Sequence, residues 1–298
     1  MLRPLAAACA GLVVAGLLAA CDDGGKKSDE ASYAIGKGDE YVALGDSYTA
    51  APGTGTVTKG GGCSQTEVNY PHRIAQATGV SLRDNSCNGA STDDVEQPQA
   101  TPKGLQVNDA QLDGLSDDTD LVTFRLGAND FSLIARVFLC AAADARGTLG
   151  GGTEPCTDLD RTSPQGAADE VLPQLESKVE AALQAVSDRA PNARIFVIGY
   201  PQILPPEGSC DLFPLPPGDE AWAHRILDGL NDALRAGAEA IDAPYIDMTE
   251  VSAGHDTCSD EPWMAGIEPV PGAAVAFHPF TAEGQAVARL VLAQLERP

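Results

Sequence analysis

Five short apolar runs rich in β-branched residues recur along the chain, at Tyr41–Leu44, about Val80–Arg83, Leu121–Leu126, Arg194–Ile198 and Tyr245–Met248, each bounded by turn-forming residues. Segments with helical spacing alternate with them. In the clearest, Leu172, Leu175, Val179, Ala182 and Val186 fall three or four residues apart on one face, with Ser163-Pro164 expected as its N-cap and first-turn proline. A second is expected over about Asp219 to Ile241, with Leu227, Leu230, Leu234 and Ile241 inward and His224, Asp228, Asn231 and Arg235 outward; a last runs from about Thr281 to Leu295. Strands that alternate with helices call for an α/β fold, a parallel sheet covered on both faces, with functional loops at the carboxyl ends of the strands. No internal repeat and no second folded domain is evident.

Segments 50–64 and 141–166 break this rhythm with Gly- and Thr-rich stretches and are expected as loops around a substrate mouth. Gly53-Thr54-Gly55 resembles the start of a dinucleotide fingerprint, but Thr58 stands where its third glycine belongs and no acidic partner follows at the required distance.

The N-terminus reads as an export signal over residues 1–20, with Arg3 ahead of the apolar stretch Leu5–Ala20. Leu18-Ala19-Ala20-Cys21 resembles a bacterial lipobox, which makes Cys21 the expected lipidation site and the membrane a partner through that anchor. A plain secretory signal and an uncleaved anchor helix are the alternatives. Residues 21–38 then form a flexible tether and 39–298 the folded domain. Six cysteines remain beyond the signal and Cys21, an even number in an exported chain. They allow 15 pairings, of which the sequential one, Cys63 with Cys87, Cys140 with Cys156 and Cys210 with Cys258, closes only short loops. No Cys-x-x-Cys spacing points to a metal. With 43 acidic against 19 basic side chains and a net charge of −24, the chain is a poor partner for nucleic acid.

Four short blocks carry the chemistry. Ser47, in Gly45-Asp46-Ser47-Tyr48, follows the first apolar run, Gly89 the second and Asn129 the third, while His278 stands just ahead of the last helix. Acyl transfer needs a nucleophile, a base and donors aimed at a developing oxyanion, and this set supplies them. Ser47 is the candidate nucleophile and His278 the base; the backbone N–H groups of Ser47 and Gly89 and the Asn129 amide are the candidate oxyanion donors. Taken singly, each has a plainer reading as a turn, a bend, a helix cap or a surface histidine. Their order along a parallel-sheet pattern brings all four to one sheet edge. Of the other histidines, His72 and His224 read as solvated, and His255, beside Asp256 and near Cys258, as a loop residue or metal ligand. A Gly-x-Ser-x-Gly elbow is absent, because Thr49 occupies its last position.

Gly45-Asp46-Ser47-Tyr48, Gly89, Gly127-x-Asn129-Asp130 and His278-Pro279 resemble the four blocks of the SGNH (GDSL-type) hydrolases over about residues 40 to 298. The three cysteine pairs, and Gly254-His255-Asp256-Thr257-Cys258 leading to Pro262-Trp263, are similar to exported actinobacterial esterases and lipases. The resemblance implies a flavodoxin-like three-layer α/β/α fold with a five-stranded parallel sheet. It also implies cleavage of carboxylic esters or lipids through an acyl-serine, with no cofactor; no metal site and a monomer are expected. The opposing class is a non-catalytic lipoprotein that binds a lipid or wall ligand on the same fold. One position departs from the family: Val275 stands where an aspartate is usual, three residues before His278. Some actinobacterial relatives use a main-chain carbonyl there, so the Val275 carbonyl is the expected orienter of a Ser–His dyad, with Asp256 as a remote alternative. Phe131–Ala143 and Pro201–Pro217 are either walls of an acyl groove or packing.

Overall fold

The computed structural model describes residues 35–296; the expected signal, Cys21 and the tether up to residue 34 lie outside the described residues. Among the described residues seven strands form: β1 (Glu40–Gly45), β2 (Val57–Lys59), β3 (Gln65–Thr66), β4 (Ser81–Asp84), β5 (Thr119–Arg125), β6 (Arg194–Ile198) and β7 (Tyr245–Ile246). All five apolar runs lie in one sheet of order β4-β1-β5-β6-β7, with every neighbour parallel. Taken in chain order these are the second, first, third, fourth and fifth strands of the sheet, the flavodoxin-like succession, and its direction reverses between β1 and β5. The short strands β2 and β3 pair as a separate antiparallel hairpin.

Near-continuous apolar strands arise because both faces are covered. Val42, Leu44, Val122, Phe124 and Val197 pack toward α3 (Leu133–Ala145), α5 (Ala168–Arg189) and α6 (Glu220–Ala240). Their alternates Tyr41, Ala43, Leu121, Phe196 and Ile198 pack toward α2 (Tyr70–Thr78) and α8 (Thr281–Leu295). Among the described residues no helix is long and apolar enough to cross a membrane.

Four expectations need correction. The fifth strand stops at Ile246, because Asp247 accepts from Thr249 N and Glu250 N and opens the short helix α7 (Met248–Val251). The α5 helix begins at Ala168, not at Ser163-Pro164, because the Asp160 carboxylate takes the Ala168 N–H at 2.8 Å and leaves the Ser-Pro pair in the preceding turn. Segment 141–166 is also partly regular, holding the end of α3 and the helix α4 (Pro155–Asp160). On α6, Asn231 is buried rather than outward; its amide accepts from Tyr200 N at 2.7 Å and donates to Tyr200 O at 3.1 Å.

The cysteines bond in sequence order, Cys63–Cys87, Cys140–Cys156 and Cys210–Cys258. Their separations of 24, 16 and 48 residues each correspond to about 3–4 kcal/mol in the chain-entropy model. The first pins the segment before Gly89 to the β2–β3 hairpin region, and the last ties loop 201–217 to the loop after α7. The two α3–α4 bridge sulfurs lie near Asp219, but as a disulfide they are no thiolate pair. The Asp219 oxygens already accept from Cys156 N, Thr157 N and the Thr157 hydroxyl.

Candidate active site

β1 ends in Gly45, whose Cβ position lies within 2.1 Å of Thr49 Oγ1, so no larger residue fits where the strand turns into α1 (Ser47–Ala50). Asp46 caps that turn. Its carboxylate is fully buried, accepts from Tyr48 N at 2.8 Å and from the Tyr200 hydroxyl at 2.6 Å, and is pushed up to about 6 by burial, against the pull of those bonds and Arg125. An unfolded aspartate titrates near about 3.9, so the contribution of Asp46 to stability is full below that pH and lost as pH rises through about 6.

The second and third blocks are bonded to each other. Gly89 has φ +76°, and its absent Cβ would face open space with only Gln99 Nε2 at 3.7 Å, so the glycine serves the backbone conformation and leaves the approach clear. Asn129 Nδ2 donates to Ala90 O at 2.8 Å, and the Asp130 carboxylate accepts from Thr92 N and Oγ1 at 2.9 and 2.6 Å. Gln111 clasps Gly45 through both its backbone groups, at 2.7 and 3.0 Å, and Cys87 N donates to Gly45 O. These links join the first three blocks around the point where the strand order reverses.

His278 reaches this edge on a long loop, and Tyr48 holds it there. The Tyr48 ring lies 5.6 Å from the imidazole, and its hydroxyl donates to Phe277 O at 3.0 Å. No hydrogen bond joins the Ser47 hydroxyl to His278 among the described residues; catalytic hydrogen bonds commonly tighten only around substrate. Phe277 has φ +61°, rare for an aromatic residue, and its ring stacks on Phe138 at 4.6 Å and meets Phe213 edge-on at 5.3 Å. Segments 131–143 and 201–217 therefore pack against the residue before the histidine. Tyr48→Phe is expected to leave the Phe277 carbonyl short of its donor and to lower stability by about 1–3 kcal/mol, read as a lower urea midpoint; an unchanged midpoint would contradict this clasp.

The carbonyl that meets the imidazole is not that of Val275, as expected, but that of Ala276. His278 Nδ1 lies 2.7 Å from Ala276 O, while Val275 O accepts the backbone N–H of His278 at 3.2 Å. The left-handed turn at Phe277 brings the imidazole back onto the carbonyl two residues earlier, and the side chain of Val275 remains exposed. Asp256 is spent elsewhere, accepting from Cys258 N at 2.9 Å. A carbonyl only accepts, so Nδ1 carries the proton and Nε2 keeps its lone pair. Burial lowers the His278 pKa below its ordinary value, with the Ala276 bond opposing, which favours the neutral ring with Nε2 free to accept a proton.

His255 stacks on Trp263 at 4.4 Å, and its Nδ1 bonds Glu261 O at 2.8 Å, a loop role. His72 is half-buried rather than fully solvated, with Nδ1 2.7 Å from Asn69 Oδ1. Sequence reasoning missed Arg125 and Glu283, an ion pair at 2.6 Å with both side chains buried. The guanidinium also donates to Gly199 O at 2.6 Å and to Tyr48 O at 3.3 Å, beneath the serine turn. A charged residue ending an otherwise apolar strand was the available signal.

A family model described as the GDSL-like lipase/acylhydrolase family matches residues 43–287. The chain is 40% identical to Lipase 2 of Streptomyces coelicolor over 240 residues, covering 78% of this chain and 76% of that one. Lipase 1 of the same organism is 29% identical, with coverage of 83% and 82%. Among solved structures, phospholipase A1 from Streptomyces albidoflavus superposes with a TM-score of 0.68 at 26% identity, covering 87% of this chain and 99% of that one. The extracellular lipase of Streptomyces rimosus gives 0.67 at 26%, covering 87% and 100%.

Proposed function

The chain belongs to the GDSL-like lipase/acylhydrolase family and is a carboxylic ester hydrolase, and we propose that it works through a Ser47–His278 dyad in which a main-chain carbonyl takes the place of the usual acid. Ser47 Oγ attacks the ester carbonyl carbon as His278 Nε2 takes its proton. The backbone N–H groups of Ser47 and Gly89 and the second N–H of the Asn129 amide receive the negative charge that develops on the carbonyl oxygen. Collapse of the tetrahedral intermediate breaks the bond to the alkoxide, which takes the proton from Nε2 and leaves as the alcohol, so the imidazole is neutral again. Water, deprotonated by the same nitrogen, then attacks the acyl carbon, and collapse releases the carboxylic acid as Nε2 returns the proton to Ser47 Oγ.

The observation that carries this reading is the contact of His278 Nδ1 with Ala276 O. With Nδ1 committed to Ala276 O, Nε2 is the basic nitrogen, and no carboxylate bonds the imidazole among the described residues. Asn129 supports the oxyanion assignment, because one amide proton is fixed on Ala90 O and one remains.

Two measurements test it. For hydrolysis of p-nitrophenyl butyrate, kcat/KM is expected to be full where His278 is neutral and to fall as pH drops through a pKa below about 6.5, because burial disfavours the imidazolium. An acid limb centred above that value would point to a carboxylate partner. Asn129→Ala is expected to lower kcat by about 10²–10³, with KM changed far less; a change within about threefold would remove Asn129 from the oxyanion site.

Secretion is part of the proposal, supported by the signal-like residues 1–20 and by the extracellular S. rimosus lipase among the structural neighbours. Attachment through a lipidated Cys21 rests on the lipobox-like Leu18-Ala19-Ala20-Cys21. Esters of fatty acids are the proposed substrate class, supported by the lipases the chain resembles.

A further inference from the structure

A concave site lies away from the catalytic blocks, on a neighbouring face of α3. Arg136, Leu139, Ala143 and Arg146 recur at three- and four-residue spacing along that face, while Phe138 points instead to Phe277. Between this face, α4 and the start of α6 is a pocket of about 450 Å³, closed at the back by Trp222 and the Cys140–Cys156 bridge, with neither Ser47 nor His278 in its walls. Leu139, Ala143, Leu149, Leu159 and Pro164 make most of the rest apolar, with Ser163 and Asp160, whose carboxylate is held by Arg136, completing the wall. Leu139 and Leu159 are 67% and 64% exposed, an unusual placement for two large aliphatic side chains lining one concavity.

The two arginines at this pocket differ. Arg136 is used up, donating to Asp160 at 2.6 Å, to Gly166 O and to Phe131 O. The Arg146 guanidinium, exposed at the end of α3, has no ion pair or hydrogen bond among the described residues. In a chain of net charge −24, an unpaired guanidinium beside an apolar pocket is a local exception. Its chemistry matches an amphiphile with one carboxylate head and an aliphatic tail.

We propose that this pocket is a second-site receptor for a free fatty acid, with the tail against Leu139, Ala143, Leu159 and Trp222 and the carboxylate on Arg146. Identifying the ligand with the acid product of ester cleavage rests on the function proposed above; the pocket itself does not.

The test uses the full chain carrying Trp263→Phe, so that Trp222 is the remaining tryptophan, titrated with ω-bromododecanoate below its micelle concentration. Saturable quenching of Trp222 is expected, with affinity rising about fourfold per added methylene between eight- and twelve-carbon homologues. Leu139→Glu is expected to weaken binding at least about tenfold, and Arg146→Glu about fivefold, with hydrolysis of p-nitrophenyl acetate unchanged in both. Quenching needs no turnover, so it can succeed where esterase activity is absent and fail where it is present. Absence of quenching, quenching of unchanged affinity in both variants, or a bromo acid that only competes with the short ester would overturn the proposal. So would concentration-dependent dimerisation abolished by Leu139→Glu without quenching, which would give the face to a second copy of the chain.

Discussion

Replacing Ser47 with alanine is expected to lower kcat toward p-nitrophenyl esters by about 10⁵–10⁶-fold while leaving the unfolding midpoint almost unchanged. The size follows from losing the nucleophile itself. His278 and the oxyanion donors can still polarise a bound ester toward water, so a residual rate about 10³-fold above the uncatalysed one is expected to survive. The small effect on stability follows from the surroundings of Ser47: its hydroxyl has no hydrogen-bond partner among the described residues, and the turn is held by Asp46, Tyr48 and the α1 backbone. Comparable losses of rate and stability would instead identify Ser47 as a structural residue. His278→Ala is expected to match the loss of rate without adding to it in the double variant, because the two residues act as one unit.

Glu283→Ala is expected to cost about 3–5 kcal/mol of unfolding free energy, a large share of the total for a domain of this size. Arg125 is fully buried, and burial works against its charge; the Glu283 carboxylate more than offsets that and holds the guanidinium above its ordinary value. Removing Glu283 leaves a buried cation whose remaining acceptors are carbonyls, Gly199 O and Tyr48 O. Urea titration reads the loss as a lower midpoint at constant slope. Glu283→Gln keeps an acceptor oxygen and removes only the charge, so an intermediate loss is expected. A cost below about 1 kcal/mol for the alanine variant would mean that the pair is solvated rather than sealed. Because Arg125 also holds the Tyr48 carbonyl, activity is expected to fall together with stability.

Sequence patterning revealed the strands because a parallel strand buried on both faces is written as a run of apolar residues, and no surface alternation blurs it. Order along the sheet then brought Ser47, Gly89 and Asn129 to one edge, since each follows its strand within a few residues. The contacts that hold the site were less legible. Arg125 and Glu283 are 158 residues apart and meet only through the packing of α8 against the sheet. Tyr200 reaches Asp46 because Asn231, which the helical pattern put on an outward face, holds its backbone from α6. At His278 the error was one residue: the family pattern counts three positions back to Val275, but the left-handed conformation of Phe277 shortens the path to Ala276. Nothing in the one-letter code forces an aromatic residue into that conformation; the Tyr48 hydroxyl and the rings of Phe138 and Phe213 do so in three dimensions.

The central claim is that Ser47 is an activated nucleophile whose base is His278. Treating the full chain with a fluorophosphonate at neutral pH and mapping the adduct by peptide mass spectrometry tests it most directly. One adduct per chain on the peptide containing Ser47, absent from Ser47→Ala and slowed by orders of magnitude in His278→Ala, is the predicted result. An adduct on another serine, or labelling of Ser47 at the same rate without His278, would contradict it.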